Sequence, residues 1–201
     1  MKTLTKKLLP LTLFGIAVTS LFCVRPAQAY TVTLQQMGAN VVANGSGPIN
    51  LTGLTFFSGD FVVPQMNASF GAILTGQVLG GVVTGYTGFN GPTSFGPGGF
   101  FFATTGSGDL VGISSGARAL YVPQDYVSNT ALSDSMTFDN ATFASLGVTP
   151  GTYIWTWGAG GANQNFTLII EGAGVPDGGS TVSLLGCALF GVAALRRKLR
   201  C

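Results

Sequence analysis

Hydrophobic positions fall into two regimes along this chain. Leu8 to Phe22 and Val182 to Leu195 are nearly continuous apolar runs, whereas the residues between them alternate in short bursts broken by Gly, Pro and Asn. Alternation at period two with frequent turn residues predicts strands, and no stretch shows the 3.6-residue period of an amphipathic helix. Ten segments carry the strand pattern: Thr31 to Gln36, Asn40 to Ala43, Ile49 to Phe57, Ala68 to Leu74, Gly99 to Thr104, Leu110 to Ile113, Ala117 to Val122, Ser135 to Phe138, Thr152 to Trp157 and Asn165 to Glu171. The last two form the best-defined hairpin. Thr149-Pro150-Gly151-Thr152 suits a type II turn leading into it. Tyr153, Trp155 and Trp157 share one face of the first strand, and Phe166, Leu168 and Ile170 share one face of the second. Faces of that kind close against another sheet, so the predicted fold class is all-β: one β-sandwich or jelly-roll-like domain over residues 30–174, flanked by an N-terminal signal helix and a C-terminal hydrophobic sorting helix.

The apolar runs read as transport signals. Residues 1–29 begin with Lys2, Lys6 and Lys7, continue through Leu8 to Phe22 and close on Ala27-Gln28-Ala29. This order of charged, apolar and A-x-A regions predicts a secretory signal peptide cut by signal peptidase after Ala29. The run is shorter than the ~20 apolar residues of a spanning helix. Phe22 occupies the position before Cys23 where a lipoprotein signal needs a small residue. The C-terminal residues 175–201 divide into the turn-forming Val175-Pro176-Asp177-Gly178-Gly179-Ser180-Thr181 (175–181), the apolar segment 182–195, and the basic end 196–201 with Arg196, Arg197, Lys198 and Arg200. As a helix the apolar segment reaches only about 21 Å of a ~30 Å hydrocarbon core, so a transient stop at the inner membrane is expected, with the basic end held on the cytoplasmic side.

This tail resembles the PEP-CTERM sorting signals and most closely their VPDSG-CTERM variant, with Gly178 where that variant usually carries Ser. The resemblance implies a Gram-negative exported protein recognised by an exosortase, a membrane transpeptidase-like enzyme, and delivered to the cell surface or exopolysaccharide matrix. The body is similar to the globular part of other such proteins, through Ile49 to Phe56, Thr93 to Gly96, Gly106 to Asp109, Val122 to Ser128, and Asn140 to Phe143 with Gly151 to Gly158. Those relatives have no assigned reaction, so the similarity extends to address and fold only.

Charge changes sign once the ends are set aside. The whole chain carries +2, yet of nine basic residues only Arg118 lies in 30–174, against Asp60, Asp109, Asp125, Asp134, Asp139 and Glu171, a body charge of −5. One Arg and no Lys cannot neutralise a phosphate backbone, which excludes nucleic acid. The absence of His from the chain removes histidine-based nucleophilic catalysis and histidine-ligated zinc. Cys23, Cys187 and Cys201 all lie in the end segments, so the body has neither disulfide nor thiolate. Gly106 and Gly108 do not continue into a dinucleotide fingerprint, because Val111 stands where its third glycine belongs.

What chemistry remains is weak. The six carboxylates could supply a glycosidase acid pair, but they are sparse and mostly sit beside turn residues. A calcium site around Asp134 or Asp139 is conceivable, although neither matches the Ca-loop spacing. Tyr153, Trp155 and Trp157 form an aromatic stripe able to stack on sugar, with burial in the core the stronger expectation. Gly99-Phe100-Phe101-Phe102 reads as a strand buried on both faces. Five N-x-[ST] sequons, at Asn44, Asn50, Asn67, Asn140 and Asn165, read mainly as the Asn-Ser/Thr pairing of a turn-rich β protein. The expectation is therefore a non-enzymatic structural or adhesive component of the envelope or matrix, with no cofactor and with extracellular polysaccharide as partner. A carbohydrate-binding module is the runner-up and an acid-pair glycoside hydrolase a distant third.

Overall fold

In the computed structural model, residues 29–172 are described. Residues 1–28 of the predicted signal peptide, including Ala27, the sorting motif 175–181 and the segments 182–195 and 196–201 lie outside them. Within 29–172 the chain forms thirteen strands in two sheets. The strands are β1 (Thr31–Met37), β2 (Asn40–Pro48), β3 (Thr55–Val62), β4 (Gln65–Asn67), β5 (Ala72–Thr75), β6 (Gly81–Thr87), β7 (Phe100–Phe102), β8 (Thr105–Gly108), β9 (Val111–Ser114), β10 (Ala119–Pro123), β11 (Ala131–Phe138), β12 (Gly151–Thr156) and β13 (Asn165–Ile170). A four-residue helix α1 (Phe143–Leu146) interrupts them. One sheet has the order β12-β13-β1-β2-β11-β8 and the other β3-β6-β10-β9-β5-β4-β7. Pairing is antiparallel except for β1 with β13.

Strict alternation explains the packing. In β1 Val32 and Leu34 point inward, in β2 Val41 and Ala43, in β11 Leu132, Met136 and Phe138, and in β13 Phe166, Leu168 and Ile170. They meet Met66, Ile73, Val111, Ile113, Leu120 and Val122 from the other sheet in one buried cluster. This is the arrangement of an all-β sandwich, in which two one-sided apolar faces leave water together. The final hairpin forms as its pattern predicts: Trp155 pairs with Phe166, their rings edge to face at 5.8 Å, and Tyr30 lies 5.1 Å from Phe166. Helix α1 starts on a capping box in which Thr142 accepts from the Ser145 amide and Ser145 accepts from the Thr142 amide.

Four details differ from the sequence pattern. Ala68–Phe70, expected as the start of a strand, form a short 3-10 turn that ends at the left-handed Gly71, and the strand begins only at Ala72. Ile49 to Leu54 is a loop, not strand: the Asn50 side chain accepts from the Thr52 amide, the Leu54 amide closes onto Leu51, and Gly53 takes φ +89°. Local Asx-turn geometry there outcompetes β-propensity. Strands β4, β6 and β8 escape the sequence pattern. β4 has three residues, β8 reads Thr-Gly-Ser-Gly, and β6 contains two glycines that pairing with β3 and β10 overrides. No type II turn forms at Thr149-Pro150-Gly151-Thr152, since Gly151 has φ +156° and already opens β12.

Candidate functional site

The aromatic stripe of β12 is structural. Trp155 and Trp157 are buried, and both indole N–H groups are committed. Trp155 Nε1 donates to the Pro92 carbonyl (2.9 Å) and to Ser115 Oγ (2.8 Å), and Trp157 Nε1 donates to the Asn50 carbonyl (2.7 Å). Tyr153 is half-buried, stacks near Phe95 and donates its hydroxyl to the Thr149 carbonyl. Rings held this way offer no face to a sugar, which removes the stripe as a stacking platform.

Exposed aromatic surface appears instead on the opposite sheet, where the sequence predicts a strand buried on both faces. Only Phe101 of β7 packs inward, while Phe100 and Phe102 are 53% and 60% exposed, with ring centroids 4.8 Å apart. The correction has a simple cause: β7 is an edge strand of three residues, and no third layer covers its outer side. Register then sets what stands beside these rings. Phe102 pairs with Gln65, Gln65 with Leu74, Leu74 with Gly112, and Gly112 with Tyr121; in the next row Phe100 pairs with Asn67, Asn67 with Ala72, and Ala72 with Ser114. Paired residues share a face. The outer face therefore runs from a phenylalanine margin across two amides onto Ala72, Leu74 and Ser114, and reaches the largely buried Tyr121 on the far side. Phe70, Asp60 and Val62 complete a trough of about 390 Å³, within the roughly 300–1,000 Å³ span of small-ligand clefts. Burial, and then the neighbouring Asp60 carboxylate, push the Tyr121 phenol above its ordinary value. It therefore stays a neutral hydroxyl.

The second unusual group lies between the sheets. Tyr30, just before β1, is sealed in the core, and its Oη donates to Asp134 Oδ2 at 2.5 Å and sits 3.2 Å from Thr75 Oγ1, which donates to the Val111 carbonyl. Asp134 belongs to β11 of one sheet and Thr75 to β5 of the other, so the group ties the two layers together. Asp134 Oδ1 is the one buried side-chain polar atom without a partner among the described residues. Burial raises the Asp134 pKa from 3.8 to about 6, against the pull of the Thr75 and Tyr30 hydroxyls. Counting protons favours the neutral acid. If Asp134 is ionised, Tyr30 and Thr75 spend their single protons on Asp134 and Val111, leaving two lone pairs facing each other. Protonated Asp134 reverses the first of these bonds, donating to Tyr30, which then donates to Thr75 and completes the directional chain Asp134 to Tyr30 to Thr75 to Val111. Sequence reasoning placed Asp134 with the turn acids; only the pairing of Asp134 with Gly45 and Gly108 reveals a mid-strand, inward position.

The remaining candidates scatter. Asp109 Oδ2 accepts from the Ser133 amide, Glu171 accepts from Gln35, and Asp125 takes a left-handed turn conformation at φ 65°. Among the described residues no three His, Cys, Asp or Glu side chains gather as metal ligands, around Asp134, Asp139 or elsewhere. Three sequons serve local structure: Asn50 accepts from the Thr52 amide, Asn67 from the Ser69 hydroxyl, and the sequon threonine Thr142 caps α1.

The body is thus a two-sheet β-sandwich carrying an aromatic trough on one outer face. The model of the VPDSG-CTERM motif matches residues 174–199, and the chain is a VPDSG-CTERM sorting-domain protein. That motif assigns processing to an exosortase-type system and export to the cell envelope or surface. No curated protein and no solved structure matches the chain. No helix among the described residues is long and apolar enough to cross a membrane; segment 182–195 lies outside them.

Proposed function

We propose that the chain is a structural or adhesive component of a Gram-negative cell surface or extracellular matrix, associated with exopolysaccharide, not an enzyme, and anchored only transiently at the inner membrane by residues 182–201. The observation that carries this reading is the sorting motif at 174–199, placed beyond an acidic β-sandwich that has no His and no Cys. The surroundings of the carboxylates add support: Asp134 is sealed between the sheets, its neighbour Asp109 binds a backbone amide, and Asp60 alone of the three lines the trough. Signal peptidase and exosortase are the processing partners. A carbohydrate-binding module is the second reading, favoured by the trough and not by the β12 stripe. Intact-mass measurement on protein from its native host tests the sorting step. The expected mass lacks residues 1–29 and the tail beyond the motif, and a mature mass that still includes 175–201 overturns it.

A further inference from the structure

We propose that the trough on the outer face of the β3-β6-β10-β9-β5-β4-β7 sheet binds a neutral glycan chain, with Phe100 and Phe70 in its lining and Phe102 on the rim beside Phe100 as stacking surfaces, and Gln65, Asn67, Tyr121 and Asp60 as hydroxyl partners. The inference rests on the reading of the chain as a polysaccharide-associated surface protein and names the site and ligand class within it.

The shape of the trough suits an extended chain. Five successive strands, β7, β4, β5, β9 and β10, span the trough, and at ~4.8 Å per strand the floor is about 19 Å wide, room for a short run of sugar rings. The floor follows from the register, which sets Ala72, Leu74 and Ser114 between Phe100 on one margin and Tyr121 on the other. A Cβ on Gly112 would meet Leu74 Cγ at 2.6 Å, because the Leu74 side chain already covers that position and closes the floor there.

Its side chains match the chemistry of a sugar. Sugar rings present C–H faces that pack on aromatic rings, and a rim of hydroxyls that needs donors and acceptors in fixed positions. The trough supplies both. Asn67 Oδ1 is occupied by the Ser69 hydroxyl, which leaves its Nδ2 as a donor, and Asp60 Oδ1 is occupied by the Phe61 amide, which leaves Oδ2 as an acceptor. Tyr121 stays a neutral donor. A purely apolar partner would leave the free atoms of Asn67 and Asp60 unpaired among these apolar side chains.

Charge decides which glycan. Asp60 is the only ionisable carboxylate in the lining and no Lys or Arg joins it; Arg118 belongs to a separate cleft with Thr87, Asn90 and Thr93. An anionic polysaccharide would approach a domain of net charge −5 and meet a carboxylate with no cation to offset it.

The experiment is affinity electrophoresis of the processed chain through gels containing hydroxyethylcellulose, dextran, galactomannan or alginate, with sedimentation velocity on the same samples. Retardation is expected in at least one neutral gel and not in alginate. The double variant Phe100→Ala/Phe102→Ala should weaken it by about tenfold or more, and Tyr121→Phe by several-fold, both with an unchanged melting temperature. No retardation in any neutral gel, retardation by alginate alone, or retardation that survives both variants overturns the proposal. So does a self-associated species that the double variant dissociates, since a second copy would then cover the face. The mass measurement is independent of all these outcomes, so failure of the glycan site and failure of the sorting reading are distinguishable.

Discussion

Ionising Asp134 should loosen the sandwich, and the size of the effect follows from its surroundings. The side chain is 7% exposed and lies between the sheets, so burial raises its pKa from 3.8 to about 6, with Asp109 adding to the rise. The titratable groups facing it are Tyr30 and Asp109. Tyr30 is itself pushed well above its ordinary value by burial, and then by Asp134, so it remains a donor throughout. In the unfolded chain the carboxyl returns to its ordinary value. Between the two values the folded state holds a proton that the unfolded state has released, so stability is lost as pH rises through the window and levels off above it. With 1.36 kcal/mol for each tenfold ratio in proton affinity, the loss is about 3 kcal/mol, or roughly 6–12 °C in melting temperature. Urea unfolding of the wild type and of Asp134→Asn from about pH 4 to pH 7 measures it, since the variant keeps the shape and removes this one proton. Subtracting one curve from the other cancels the remaining carboxylates. The wild type should lose stability relative to the variant as pH climbs. Parallel curves would refute the buried-acid account, as would a wild type that gains on the variant with pH.

Two further substitutions probe the same core. Gly45 faces Asp134 across the β2–β11 pair, and a Cβ there would collide with the Tyr30 hydroxyl and Asp134 Oδ1. Gly45→Ala should therefore cost about 2–3 kcal/mol in denaturant unfolding, and a neutral result would show that the polar cluster can shift aside. Trp157→Phe keeps a ring in the core but leaves the Asn50 carbonyl without its 2.7 Å donor. It should cost about 2 kcal/mol, with unchanged retardation in the glycan gels because the trough lies on the other sheet.

Legibility from sequence varied with the kind of interaction that decided each feature. The terminal hairpin was readable because Tyr153, Trp155, Trp157 and Phe166, Leu168, Ile170 alternate cleanly, and alternation survives any sandwich that buries one face. Short-range signals were readable too where side chains act locally, as in the sorting motif 175–181. β6 was not, because its glycines acquire strand geometry only from two neighbours. The trough was misread for a related reason: Phe100-Phe101-Phe102 is apolar at every position, so composition alone cannot tell a strand covered on both sides from an edge strand covered on one.

The sequence by itself determined the all-β class, the acid charge of the body, the address carried by its tail and the inward face of the last hairpin. These depend on period, composition and linear motif. The tertiary structure alone decided which aromatics face water, that Asp134 and Tyr30 meet in the core across 104 residues, and that Gln65, Asn67 and Tyr121 share a surface with Phe100 and Phe102. The physical reason is that strand order and register in a sandwich are set by contacts between segments distant in sequence. Exposure depends on whether a further layer covers each face, which no window along the chain records.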